Sequence, residues 1–269
     1  MAKTRYRFLC ILNLAGFIAT VVVNALANIL PINGKTTGEL SDQYPNLFVP
    51  AGLTFSIWGV IYVLLGIFVI YHLIMALKKK DESISYPVER IGLLFLASCM
   101  ANIGWIFAWH YEILPLSLGI ILSLLGCLIT IYLRLNIGKS YATKTEKYIS
   151  QVPFSVYLGW ITVATIANVT ALLVDMNWGA LGFSQQFWAV AVIIVALVIT
   201  LAIVFLRRDI FYGIVVDWAL FGILMKRLSD QAAPDERVIS VSIIGLIVIT
   251  TAIILQAARR KSYNLTQIS

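Results

Sequence analysis

Few residues in this chain have the chemistry to do more than fill a membrane. Asp217, in the run IFYGIVVDWALFGILMKRL, is the one carboxylate well inside an apolar stretch. An acid in hydrocarbon is costly and marks a functional site by default, as a proton relay or a counter-charge. The equally weighted alternative is a hydrogen-bonded acid that holds helices together. No lysine or arginine inside an apolar run is there to pair with it. Asn102 and Asn168 lie in similar runs, and a buried amide in lipid must find a partner inside the bundle. Trp105 follows Asn102 at i+3, which makes the two neighbours on a helix surface. For Asn102 an interhelical hydrogen bond is favoured over direct ligand contact. In VPFSVYLGWITVATIANVTALLV, the residues Tyr157, Trp160, Ala164, Asn168 and Ala171 fall on an arc of about 80° at helical spacing. In PNLFVPAGLTFSIWGVIYVLLG, Phe55, Trp58 and Tyr62 share roughly 120° of helix surface with Gly52, Gly59 and Gly66. Glycines let a neighbouring backbone come close, and aromatics add flat apolar walls with a polar handle. Three such mixed faces suit a pocket between helices. Tight packing without a ligand is the alternative for each.

The elements that must position these residues are transmembrane helices. Of the 269 residues, 60% are hydrophobic and 12% charged, against about 45–50% and about 25% in a soluble domain. Runs of about 20 apolar residues are long enough to cross a bilayer. Eight occur, at 8–30, 52–77, 91–110, 114–134, 153–174, 187–206, 210–227 and 238–258. The seventh is the weakest, being short and partly polar. The longest connector, 31–51, is loop one. No long polar segment separates the spans, so no soluble domain is expected.

The formal charge of +7 is read through topology and does not argue for nucleic acid. The segments 1–7, 78–90, 134–148, 207–209 and 259–269 hold every lysine and arginine except Lys35, Lys226, Arg227 and Arg237. By the positive-inside rule both termini face the cytoplasm, in a multi-pass protein of the plasma membrane. Lys3 to Arg7, an apolar run and Ala25-Leu26-Ala27 have the outline of a signal peptide. Asn24 and Asn28, one turn apart, favour a retained helix that offers hydrogen bonds to its neighbours. Cys10, Cys99 and Cys127 lie in apolar runs without a CxxC, and His72 and His110 form no metal motif, so no disulfide, zinc site or cofactor is expected. Leu128, Tyr132 and Arg134 fit the loose sterol-contact pattern. An interfacial anchoring role is preferred for the last two.

Three pieces together resemble one family, the tryptophan-rich sensory proteins (TspO) related to the mitochondrial translocator protein. They are Pro45, Pro50, Trp58, Tyr62 and Gly66; Asn102 with Trp105; and Tyr157, Leu158, Gly159, Trp160, Ala164 and Asn168. The resemblance covers about residues 8–175 and implies an all-α polytopic membrane protein. In this reading residues 1–180 form a TspO-like five-helix bundle, and residues 181–269 add three transmembrane helices. It also implies a pocket under loop one for porphyrins or other planar apolar ligands. Trp58, Tyr62, Asn102, Trp105, Trp160, Ala164 and Asn168 would line or brace it. Leu47 and Val49 stand where the family usually has Trp and Pro, and the fourth span lacks a Trp found in many members. The sterol motif of animal members has no counterpart after Asn168, which argues against sterol recognition.

The leading expectation is therefore an integral membrane sensor or carrier that binds an apolar small molecule in the bilayer, with a homodimer left open. A proton-coupled transporter using Asp217 is the alternative, although convincing internal repeats and paired broken helices are missing. No nucleophile–base pair or paired carboxylates argue for an enzyme. Porphyrin breakdown, reported for some bacterial relatives, would be side chemistry. A structural protein with the last three helices as a docking module is a further class.

Overall fold

A computed structural model describes residues 2–78, 86–139, 142–229 and 235–266. Lys79 and Lys80, counted above in a basic segment, lie outside the described residues, as do the side chains of Lys3, Arg260 and Lys261. Among the described residues the long elements are eight helices and there are no strands. They are α1 (Ala2–Ile29), α2 (Ile57–Leu77), α3 (Leu94–His110), α4 (Leu114–Arg134), α5 (Val152–Asp175), α6 (Gln185–Leu206), α7 (Ile210–Ser229) and α8 (Glu236–Thr266).

Among the described residues, six helical segments are long and apolar enough to cross a membrane, namely those containing α1, α2, α4, α5, α6 and α8. The other two have a local reason for falling short. Helix α3 has 17 residues, about 26 Å at 1.5 Å per residue, slightly under the ~30 Å hydrocarbon core. Helix α7 carries Asp217, Lys226 and Arg227, and packs between neighbouring helices while Ile214, Phe221, Met225 and Leu228 stay exposed. The outer surface is apolar: on α1, Ile11, Ile18, Val22 and Leu26 are exposed at helical spacing. A surface of that kind needs lipid rather than water.

Packing closes five helices into a ring. Helix α1 packs on α2 and α3, α3 on α4, α4 on α5, and α5 on α2. Helix α7 packs against α5 on one side and α6 and α8 on the other. Residues 150–161, entering α5, are therefore buried on every face. Gly159 is what lets α7 approach, since a Cβ there would lie 3.2 Å from the Tyr212 carbonyl oxygen.

Local chemistry sets the helix ends. Helix α3 stops in a pair of reversed hydrogen bonds, Ile113 N to Ala108 O and Glu112 N to Trp109 O, with Glu112 at φ 57°. Helices α4 and α5 stop the same way, with Asn136 and Asn177 at positive φ. Asparagine tolerates that left-handed position, where a Schellman motif usually places glycine. Pro115 stands at the start of α4, where a missing N–H costs nothing, and Pro153 directly follows the π-helical turn Lys147–Gln151 that runs into α5.

Loop one is a folded cap. It contains the short helix Thr37–Asp42, opened by a reciprocal Thr36–Glu39 capping box. Leu40, Phe48 and Val49 are buried beneath it, and Gly52–Ser56 leads into α2 as a tight turn.

Candidate functional site

Trp58 is the hub of an aromatic cluster. It projects from the first turn of α2, where loop one becomes helix. Tyr62 stacks on it at 5.7 Å between centroids, and Trp105 of α3 lies nearly parallel at 6.5 Å. Tyr157 and Trp160 of α5 meet it edge-on at 6.3 and 6.2 Å. Phe55 reaches down from loop one to Trp160 at 5.9 Å, and Trp105 stacks on Trp109 at 5.8 Å. These separations lie in the range of direct ring contact. The aromatic residues expected around a pocket thus gather in one place and pack directly on one another.

A hydrogen-bonded chain ties the same helices together. Asn24 on α1 donates to Asn102 Oδ1 at 2.7 Å, and Asn102 donates to the Tyr157 hydroxyl at 3.0 Å. This is the interhelical role favoured for Asn102, and it makes α1 part of the ring. Asn28 instead bonds its own helix at the Asn24 carbonyl. Asn168 donates to Ser117 on α4 at 2.8 Å. Ala164 is half-buried on α5 between Trp160 and Asn168.

The cluster holds unused hydrogen-bonding capacity. The Tyr62 hydroxyl, the indole N–H groups of Trp105 and Trp160, and Asn168 Oδ1 are buried and have no partner among the described residues. Three of these four belong to rings that touch Trp58. A buried polar atom left unpaired costs about 1–3 kcal/mol, and native structures contain few of them.

Glycine is less central than the sequence suggests. A Cβ at Gly52 or Gly59 would meet nothing within 4 Å, so neither admits a close helix. Both stand on the exposed side where the turn enters α2. Only Gly66 is packed, by the Phe17 ring at 3.2 Å.

Loop one is clamped from two sides over this cluster. On the α3 side, Asn33 donates to the His110 carbonyl at 3.0 Å and Lys35 pairs with Glu112 at 2.8 Å. The Tyr44 hydroxyl donates to the same carboxylate at 3.3 Å. The hydrogen bond from Lys35 is the leading cause that holds the Glu112 carboxyl below its usual range. Burial, with Glu112 beside it, pushes the Tyr44 phenol up to about 12, so it remains a donor. On the α7 side, Ala51 N donates to the Gly222 carbonyl at 2.9 Å, and Trp218 Nε1 donates to the Thr54 carbonyl at 3.0 Å. Lys226 pairs with Asp42. Gly222 is indispensable to this contact, because a Cβ there would sit 1.9 Å from Thr54 Oγ1.

Asp217 stands apart from the cluster. Thr250 of α8 donates to its Oδ2 at 2.9 Å. The contact joins α7 to α8, while Asp217 Oδ1 is buried without a partner among the described residues. The acid that organises helix packing most is Asp209. Its Oδ1 caps α7 through the N–H groups of Phe211 and Tyr212, and its Oδ2 accepts from Tyr132 at 2.9 Å and Ser155 at 2.6 Å. Tyr132 is thereby turned inward and buried, which removes it as an interfacial anchor or sterol contact. An acid directly before an apolar run is a helix-start signal, so Asp209 was readable. Thr54, Trp218 and Gly222 gave no comparable signal, because their contacts join residues more than 160 positions apart.

A cavity of about 700 Å³ lies elsewhere, between α5, α6 and loop one. None of the seven residues expected to line or brace the pocket is among its walls.

The all-helical bundle, its apolar surface and the folded cap over an aromatic cluster define a multi-pass membrane protein. The family model of TSPO-like proteins matches residues 10–255, and the chain belongs to that family. The match runs beyond the five-helix unit, through α6 and α7 and into α8. No curated protein and no solved structure matches the chain.

Proposed function

We propose that this protein binds a planar apolar ligand of the porphyrin type in the aromatic cluster under loop one, as a membrane sensor or carrier. The observation that carries the reading is the coincidence of stacked rings with unpaired buried polar atoms. Rings without partners for their polar edges suit a ligand that has a flat apolar body and polar substituents. Swinging Trp58 aside would open the space between Tyr62, Trp105 and Trp160. Loop one is the lid, residues 1–180 form the ligand-binding bundle, and residues 181–269 support it. The basic residues favour both termini in the cytoplasm and a place in the plasma membrane. No resident cofactor is needed for this role.

The test is a protoporphyrin titration of the purified protein, followed by tryptophan fluorescence with free tryptophan as the inner-filter control. Saturable quenching is expected in the wild type, weakened in Trp160→Phe and Ala164→Phe. Quenching that never saturates, or is equal in all three proteins, overturns the assignment.

A further inference from the structure

We infer that the cleft between α5 and α6 is a second ligand site, built for an uncharged amphiphile that enters sideways from the bilayer. The inference is independent of the aromatic cluster and uses different residues. The cleft exists because α6 leans on α7 and α8 and stands off from α5. Its volume, about 700 Å³, falls within the ~300–1,000 Å³ of small-molecule sites.

Three features fix the chemistry of the occupant. The first is charge. Among the described residues no Asp, Glu, Lys or Arg lines the cleft, so a phosphate or carboxylate head would be left unpaired in a medium that penalises it. The second is polarity along the length. Asn46, Asn177 and Gln185 gather at the loop-one end, and the walls beyond them are apolar down to Ile166 and Val195 except for Thr170, whose hydroxyl donates to the Ala167 carbonyl of its own helix. Asn46 is already committed, bonding the Tyr44 carbonyl and the Phe48 N–H within loop one. The Asn177 and Gln185 amides make no hydrogen bond among the described residues and are exposed, free to hold a head group. Asn177 is placed there by the left-handed turn that ends α5. The third is depth. From Asn177 to Ile166, and from Gln185 to Val195, the helices rise roughly 15 Å, about half of a ~30 Å hydrocarbon core. The cleft is one leaflet deep. Val169 and Val195 are exposed along it, which gives lateral access from the acyl chains.

Trp178 and Trp188 frame the mouth, with ring centroids 5.2 Å apart, as indoles do at a membrane–water boundary. The matching molecule has one hydroxyl or carbonyl head and a single hydrocarbon or isoprenoid body. A two-chain phospholipid with a charged phosphate does not meet these conditions.

The experiment uses the full chain in phosphatidylcholine nanodiscs and a dibrominated long-chain alcohol as probe, because bromine quenches tryptophan on contact. Saturable quenching is expected. Most of it should vanish in the Trp178→Phe/Trp188→Phe double variant and persist in Trp160→Phe, which separates this site from the aromatic cluster. Ala191→Phe, which fills the cleft, should weaken the apparent affinity at least about tenfold, or about 1.4 kcal/mol. Asn177→Leu/Gln185→Leu should weaken it by a similar factor. Each variant is checked for its helical melt beforehand, and Gln185→Leu alone serves if the double change fails to fold. Quenching by dibrominated phosphatidylcholine that the alcohol cannot displace would mean annular lipid only and overturn the site. Equal affinity in Ala191→Phe and wild type would do the same.

Discussion

Tyr62→Phe separates a ligand-binding cluster from a merely packed one, because it deletes a single oxygen. The ring stays stacked on Trp58, and the lost hydroxyl is buried without a partner. Removing an unsatisfied buried group returns part of its cost of about 1–3 kcal/mol. Against this stands the loss of a few atomic contacts worth about 0.1–0.2 kcal/mol each. The unliganded protein should therefore gain about 0.5–2 kcal/mol. In a chain of this size each kcal/mol moves a reversible melt by about 2–4 °C. Ligand binding should move the other way. A ligand that accepts or donates one hydrogen bond at Tyr62 loses about 0.5–1.5 kcal/mol, or roughly two- to thirteen-fold in Kd. Helical melts by circular dichroism and the protoporphyrin titration read the two effects separately. A destabilisation of 1 kcal/mol or more without ligand would show that the hydroxyl is partnered, and the reasoning fails. Raised stability with unchanged affinity would remove Tyr62 from the ligand site.

Three further outcomes follow from the contacts around the cluster. Gly222→Ala should lift loop one off α7, since its Cβ would lie 1.9 Å from Thr54 Oγ1; overpacking of this kind costs about 1–3 kcal/mol. Faster proteolysis of loop one, reversed by Thr54→Gly, is the expected readout, and unchanged protection refutes the clamp. Asp209→Ala removes a helix cap worth about 0.5–2 kcal/mol and strands the Tyr132 and Ser155 hydroxyls. A loss of about 2–5 kcal/mol in total is expected, with Tyr132→Phe much milder in the same melt. The Glu112 carboxyl is held below its usual range, so its contribution is present above the ordinary carboxylate pKa, ~4.3. It is lost as pH falls through the lowered value. The two side chains are 35% and 37% exposed, so solvent screens the pair and the effect is small, about 0.2–1 kcal/mol. Protection of the loop-one amides, corrected for the intrinsic pH dependence of exchange, should fall on acidification in wild type, and Glu112→Gln should already show the lowered protection at neutral pH.

The sequence carried the helices and their inner faces well, because both are local. Period and composition alone place Trp58, Trp105, Tyr157 and Trp160 on faces that the structure gathers so that the last three rings lie within 7 Å of Trp58. The Asn102 prediction succeeded for a simple physical reason, since an amide in hydrocarbon must find a partner. The glycine argument failed at Gly52 and Gly59 because it assumed a neighbouring helix on that face. A helical wheel shows which residues align, not what stands opposite. Tyr132 was misread because its partner, Asp209, lies 77 positions away. The cleft between α5 and α6 was invisible for the same reason: it is a gap between elements, and no residue pattern encodes a gap.

The added helices matter to the cluster through α7. That helix touches α5 at Gly159 and grips the turn Gly52–Ser56 from the other side. The turn holds Thr54, bonded through its carbonyl to Trp218, and Phe55, packed on Trp160. A shift of α7 therefore moves a wall of the cluster and its lid together. The cleft is bordered by Pro45–Phe48 of the same loop, while α6, its far wall, rests on α7. Loop one and α7 thus connect two places suited to apolar molecules. If a ligand at one place changes affinity at the other, linkage makes the change reciprocal and equal. The five-helix ring alone lacks this connection, which exists only because the chain continues past α5.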